Sequence, residues 1–233
     1  MKKTLLTLLV LAPFTAHAAP ITYGSSVTFA SDYAFRGISQ TDESLALQAD
    51  ITAEHESGFY GSVWGSTVDF NNTEAGSLEV DLAAGYTHAL SNEVDLDAGV
   101  IHYTYPGSDS DLKYDYTELF VSLSTGFSLF NSSLSFNYSP EYFGESGEFY
   151  YYNVAVDKEV RENLTLAASV GYSDIDENIT FGTPDYTDWS VGASYALDQD
   201  FNVSLNYVDT DLSKSECADG CEARVILSVS KAF

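Results

Sequence analysis

Acidic side chains carry most of the potential chemistry of this chain: 35 Asp and Glu stand against 9 Lys and Arg. Phosphate backbones are held by clusters of Lys and Arg, so nucleic acid is excluded as a partner. Carboxylates in such excess can attract cations, hold divalent ions or, beside a suitable base, serve hydrolysis. An activated Ser or water needs a base near neutral pKa, and beyond the first eighteen residues the histidines are His55, His88 and His102. Each shares parity with the apolar residues of its segment, and no Ser-rich motif accompanies any of them. Interfacial histidines are therefore expected rather than a lipid hydrolase, with no catalytic residue, cofactor or metal centre assigned. The pairs Asp109/Asp111, Asp174/Asp176 and Asp209/Asp211 place carboxylates two apart, a spacing that could hold Ca²⁺ or bridge lipopolysaccharide ions. None shows the twelve-residue ligand pattern of a dedicated calcium loop, so solvated loops are the expectation. Cys217 and Cys221 flank Ala-Asp-Gly; without further ligands they make a weak zinc pair, and in an exported chain a small disulfide is expected.

Export itself is read from the N-terminus. Lys2 and Lys3 precede an apolar run from Leu5 to Ala12, and Ala16-His17-Ala18 supplies small residues at the positions a signal peptidase reads. The run is too short to span a bilayer as a helix, so residues 1–18 are read as a signal peptide cleaved after Ala18. Cleavage removes two of the 9 basic residues and none of the 35 acidic ones, leaving one domain over 19–233 with a net charge of −28. With 17 Tyr and 14 Phe it is too rich in aromatics for a disordered acidic chain.

The elements that must position these carboxylates are strands, because the apolar period is two almost throughout. Phe201, Val203, Leu205 and Tyr207 alternate with Asn202, Ser204 and Asn206; Leu78, Val80, Leu82, Ala84 and Tyr86 alternate with Glu79, Asp81, Ala83 and Gly85. Such alternation gives each strand an apolar and a polar face. About twelve strands follow, near 22–35, 44–56, 59–70, 77–90, 93–105, 114–126, 132–143, 149–160, 164–175, 185–197, 200–211 and 223–233. Tight joins alternate with longer acidic loops, which describes an all-β, up-and-down antiparallel transmembrane barrel with one short-turn and one long-loop rim. Aromatics at Tyr86, Tyr103, Tyr138, Tyr142, Tyr150, Tyr152, Tyr172, Trp189, Tyr195 and Tyr207 are expected to form its outward girdles. A soluble sandwich could not bury the opposite face, rich in Ser, Thr, Asn, Asp and Glu, without unpaired charge; a wet lumen can.

Carried through every strand, the alternation turns Asp32, Asp50, Glu54, Glu79, Asp81, Asp95, Asp97, Glu118, Glu141, Asp157 and Asp188 inward, against Arg36 and Arg224. Acidic rings in a low-dielectric wall raise local cation concentration. A diffusion channel for small polar solutes, leaning to cations, is expected; the alternative is a plugged, structural or divalent-ion-binding barrel, since twelve strands lie between filled and open lumens. Asp32 and Arg36, four apart, are expected to pair or to form a constriction.

Ser31-Asp32-Tyr33-Ala34-Phe35-Arg36-Gly37-Ile38-Ser39-Gln40-Thr41 resembles the N-terminal signature of the TorF-type porin family of proteobacteria. Gly58-Phe59-Tyr60-Gly61-Ser62-Val63-Trp64 resembles its next block, and Ser228 to Phe233 resembles its terminus. The resemblance implies an outer-membrane barrel in a Gram-negative-type cell, with no solute attached to it. The alternation of Val225, Leu227 and Val229 up to the terminal Phe233 is similar to the assembly signal of such barrels. Expected partners are therefore periplasmic chaperones and the barrel-assembly machinery during biogenesis, then outer-membrane lipid and lipopolysaccharide.

Overall fold

A computed structural model describes residues 20–127, 129–198, 200–217 and 219–233; the expected signal peptide lies outside the described residues. Fourteen strands occur among them: β1 (Ile21–Ala30), β2 (Ala34–Phe35), β3 (Ile38–Ser39), β4 (Ala46–His55), β5 (Phe59–Thr67), β6 (Leu78–Ala89), β7 (Val94–Thr104), β8 (Tyr116–Gly126), β9 (Asn131–Ser139), β10 (Phe149–Arg161), β11 (Leu164–Ile175), β12 (Tyr186–Ala196), β13 (Phe201–Thr210) and β14 (Arg224–Ala232). Twelve of them pair in an antiparallel closed barrel, while β2 and β3 form a separate two-stranded hairpin. Closure runs through β1 and β14, in register from Ser26 opposite Ala232 to Ala30 opposite Ser228. Every wall strand thus has two partners, which leaves no backbone edge for lipid to meet.

The outward face is apolar along every strand. Leu119, Leu134, Val154, Val170, Val191, Leu205 and Leu227 are all exposed on it. In water so continuous a patch would drive association; around a barrel it is the lipid-facing band. Near one rim it carries Tyr138, Tyr150, Tyr172 and Tyr207, and near the other Phe59, Tyr86, Tyr195 and Phe201, at opposite ends of their strands. The connections are equally polarised. Residues 56–58, 90–93, 127–130, 162–163 and 197–200 are short turns at the rim that also holds the start of β1 and the end of β14. At the other rim, 31–45, 68–77, 105–115, 140–148, 176–185 and 211–223 are the long loops.

Three expectations are corrected. The first strand was expected to reach residue 35, but it leaves the wall at Ala30 and turns inward. Tyr103 and Tyr142 are buried inside the barrel rather than girdling it. Tyr103 follows outward-facing His102 directly and so must face the lumen, while Tyr142 lies past the end of β9. Glu141 also lies beyond β9, exposed in its loop, where its carboxylate accepts the Gly147 N–H at 2.9 Å. It is no wall residue.

Candidate functional site

The interior divides into a wet half towards the short turns and a packed half at the long-loop rim. In the wet half the wall carries small polar side chains: Ser135 donates to Ser122 at 2.9 Å and Ser169 pairs with Ser190 at 2.8 Å. Asp50 accepts from Ser26, Asp97 from the Tyr60 hydroxyl at 3.0 Å and Asp157 from Asn131 at 2.9 Å. Glu54 and Asp95 are inward by register and exposed to the lumen. Above them a cavity of about 360 Å³ is lined by Asp32, Arg36, Gln48, Tyr151, Asp188 and Asn206, among others.

The packed half is built by the first long loop. Its β2–β3 hairpin turns on Arg36 and Gly37, with φ of 49° and 83°, the two left-handed residues of a two-residue hairpin turn. That turn projects Arg36 from the hairpin tip into the barrel, where its side chain is 5 % exposed. There it meets Glu118 on β8, 0 % exposed. Nη1 donates to Oε1 at 2.7 Å and Nη2 to Oε2 at 2.8 Å, a bidentate fork. Oε2 also accepts from Asn137 at 3.0 Å, and Arg36 donates to the Tyr142 hydroxyl at 3.3 Å. The Arg36 guanidinium carbon lies 4.4 Å from the Tyr151 ring centre, 4.6 Å from that of Phe35 and 4.7 Å from that of Phe149. Burial alone would lower the Arg36 pKa, but the charge of Glu118, the neighbouring tyrosines and the hydrogen bonds to Glu118 together outweigh it and hold the guanidinium still more firmly protonated. The Tyr142 hydroxyl, buried beside them, is pushed up to about 12 by desolvation.

Aromatic side chains fill the space around this pair. Tyr142 stacks on Phe149 at 3.8 Å between ring centres and Tyr103 on Tyr116 at 4.4 Å. Tyr33 of the first loop meets Trp64 edge-on at 5.3 Å. Desolvation, with the charges of Glu79 and Asp81, raises the Tyr33 pKa well above the usual phenol range. Tyr33 and Phe35, the first loop's own rings, are partly buried, and each contributes at most about 1.5–3 kcal/mol to holding the loop inside.

The base of the hairpin is anchored separately. Arg224 on β14 bridges to Asp32 at 3.2 Å, and Ser39 and Thr41 donate to Asp32 Oδ1 at 2.7 and 2.8 Å. The Ser39 N–H donates to the Gly220 carbonyl at 2.8 Å, within the loop closed by the Cys217–Cys221 disulfide. The expected Asp32–Arg36 pairing is therefore replaced by two longer-range bridges. Four residues apart suits a single continuous strand, whereas here the chain leaves the wall after Ala30 and Arg36 sits at the hairpin tip, away from Asp32 at its base.

Of the other candidates, Glu79, Asp81 and Asp188 do sit on the inner wall. Glu79 accepts from the Tyr105 hydroxyl at 3.1 Å and Asp188 from Tyr151 at 3.0 Å, while Asp81 Oδ1 has no partner among the described residues. His102 pairs with Thr117 at 2.9 Å on the outward face, and His55 with Ser57 at a turn. Asp109 and Asp211 act as acceptors for the backbone N–H groups of Asp111 and Thr187. The inward aromatics carry a signal in the sequence: Tyr103, Tyr116, Tyr151 and Tyr186 all have the parity of the polar set.

The model of the family described as "Bacterial protein of unknown function (Gcw_chp)" matches residues 15–233, and the chain belongs to that family. No curated protein matches it. Among solved structures it is similar to the KdgM porin, at a TM-score of 0.63 and 10 % identity, covering 90 % of this chain and 99 % of that one. It is also similar to the NanC porin, at 0.60 and 11 %, covering 90 % and 98 %. The KdgM porin has also been solved in complex with disordered oligogalacturonate. At these identities the likeness is one of fold: this is a porin-like twelve-stranded barrel.

Proposed function

We propose that this Gcw_chp-family barrel resides in the outer membrane of a Gram-negative-type cell and passes small polar solutes by passive diffusion, favouring cations and zwitterions. Its first eighteen residues direct export and are removed; its long loops face the exterior and its short turns the periplasm. The porin-like fold and the resemblance of the Ser31–Thr41 block to TorF-type porins support this reading.

One observation carries the charge preference. Asp50, Glu54, Asp95, Asp97 and Asp157 line the wet half, and no Lys or Arg pairs with any of them among the described residues. The two inward arginines are already bound to Glu118 and Asp32. The field of the lumen is therefore negative and focused by its low-dielectric wall. It would repel a polyanion such as the oligogalacturonate seen with the KdgM porin.

Planar-bilayer recording under a KCl gradient tests this. The reversal potential should report cation selectivity, and Asp50→Asn with Asp97→Asn and Asp157→Asn should reduce it. Anion selectivity would refute the proposal. The aromatic packing at the long-loop rim favours a second reading, a closed structural barrel. Silence in both the wild type and variants with a loosened first loop would establish that one instead.

A further inference from the structure

We propose that Glu118 and the rings around it form a guanidinium-recognition site, which Arg36 occupies as a resident surrogate for a guanidinium-bearing solute. The transport consequence rests on the channel reading; the binding site itself does not.

The site matches its occupant in three ways. Both Glu118 oxygens are engaged by the two terminal nitrogens, at 2.7 and 2.8 Å, a geometry that a planar fork satisfies and an ammonium does not. Ring faces of Tyr151, Phe35 and Phe149 lie 4.4–4.7 Å from the guanidinium carbon, within the range of cation–π attraction. The Tyr142 hydroxyl takes a further N–H at 3.3 Å. Of this box, Glu118, Tyr142, Phe149 and Tyr151 belong to the wall and its neighbouring loop; only Phe35 travels with Arg36.

The occupant, in contrast, is held on a slight element. The hairpin has two residues in each strand, and Arg36 sits at φ 49°, where Asn or Gly suits the turn better. The backbone disfavours Arg at this position; what the residue supplies is its side chain. When the hairpin withdraws, Glu118 retains the Asn137 amide at 3.0 Å and the Tyr103 hydroxyl at 3.4 Å but loses the one cation that pairs with it among the described residues. A buried carboxylate in that state is costly, and a cation of the same shape restores the lost bonds. Opening of the mouth is thereby coupled to the arrival of such a solute, and neutral or anionic solutes gain nothing from it.

Arg36→Asn keeps the turn and vacates the site. In detergent, millimolar guanidinium chloride should raise the melting temperature of Arg36→Asn above that in equimolar NaCl. Its apparent affinity should fall by about tenfold or more in Arg36→Asn/Glu118→Gln, where the charge-assisted fork is lost. Equal responses of the two variants, or guanidinium acting no better than sodium, would overturn the proposal. Should Arg36→Asn fail to fold, the wild type decides. Agmatine, competing with Arg36, should change the Trp64 fluorescence as Tyr33 leaves it, whereas the neutral urea analogue citrulline should not; equal effects would overturn the site. Conductance separates the two ideas. A conducting Arg36→Asn that ignores guanidinium refutes the site and spares the channel, while a silent variant that binds it refutes the channel and spares the site.

Discussion

Replacing Arg36 by Asn should open the first loop without unfolding the barrel, and the size of the effect follows from what it leaves behind. Glu118 is 0 % exposed and would lose both bonds of the fork. Removing one partner of a buried ion pair costs about 3–5 kcal/mol. Against this, Asn is at ease at the left-handed φ of 49°, recovering about 1 kcal/mol of backbone strain. The net change of about 2–4 kcal/mol corresponds to a roughly 30- to 700-fold rise in the open population. The Ser39 N–H, bonded to Gly220 O at 2.8 Å, and the Gln40 N–H, bonded to Tyr33 O at 2.7 Å, are the reporters. Native-state amide exchange by NMR in micelles should speed up at both by that factor, while amides deep in β10 and β11 stay protected. Adding Glu118→Gln should slow exchange again, because a neutral amide in the vacated box costs less than a carboxylate. Unchanged exchange in Arg36→Asn, or a double variant no slower than the single one, would refute the account of the pair as the latch of the loop.

Two further outcomes follow from the same geometry, and a third from the N-terminal sequence. Reducing the Cys217–Cys221 disulfide, which spans four residues, should cost the last long loop about 2 kcal/mol by the chain-entropy estimate. It should also speed Ser39 exchange, since Gly220 is its acceptor; dithiothreitol-treated and untreated samples compared by NMR would show it. Gly37→Ala should expel the hairpin, because at φ 83° an added Cβ would lie 2.5 Å from Thr210 Cγ2 and 2.9 Å from Asp188 Cβ. Overpacking and strain together amount to about 2–3 kcal/mol, visible as altered Trp64 fluorescence and raised bilayer conductance. The proposed export signal predicts a mature N-terminus at Ala19, which intact-mass measurement of protein from purified outer membranes would check.

The barrel was legible in the sequence because its determinant is local. Period-two alternation assigns a face to each residue of a strand without reference to any other strand, so Asp50, Asp97 and Asp157 could be turned inward and Leu205 or Leu227 outward from spacing alone. Alternation of short and long joins likewise ordered the rims, and the Cys217–Cys221 spacing pointed to the disulfide that forms. Parity held even where it was not followed far enough, as at Tyr103. The interior of the mouth was decided only by tertiary structure. Asp32 and Arg36 are four residues apart, yet the two left-handed residues of a tight hairpin send them to different walls, one to Arg224 and the other to Glu118, 192 and 82 residues away. No pattern within the first loop specifies those partners, because what selects them is the curvature of a closed wall that brings β8 and β10 around the Arg36 guanidinium and β14 against Asp32.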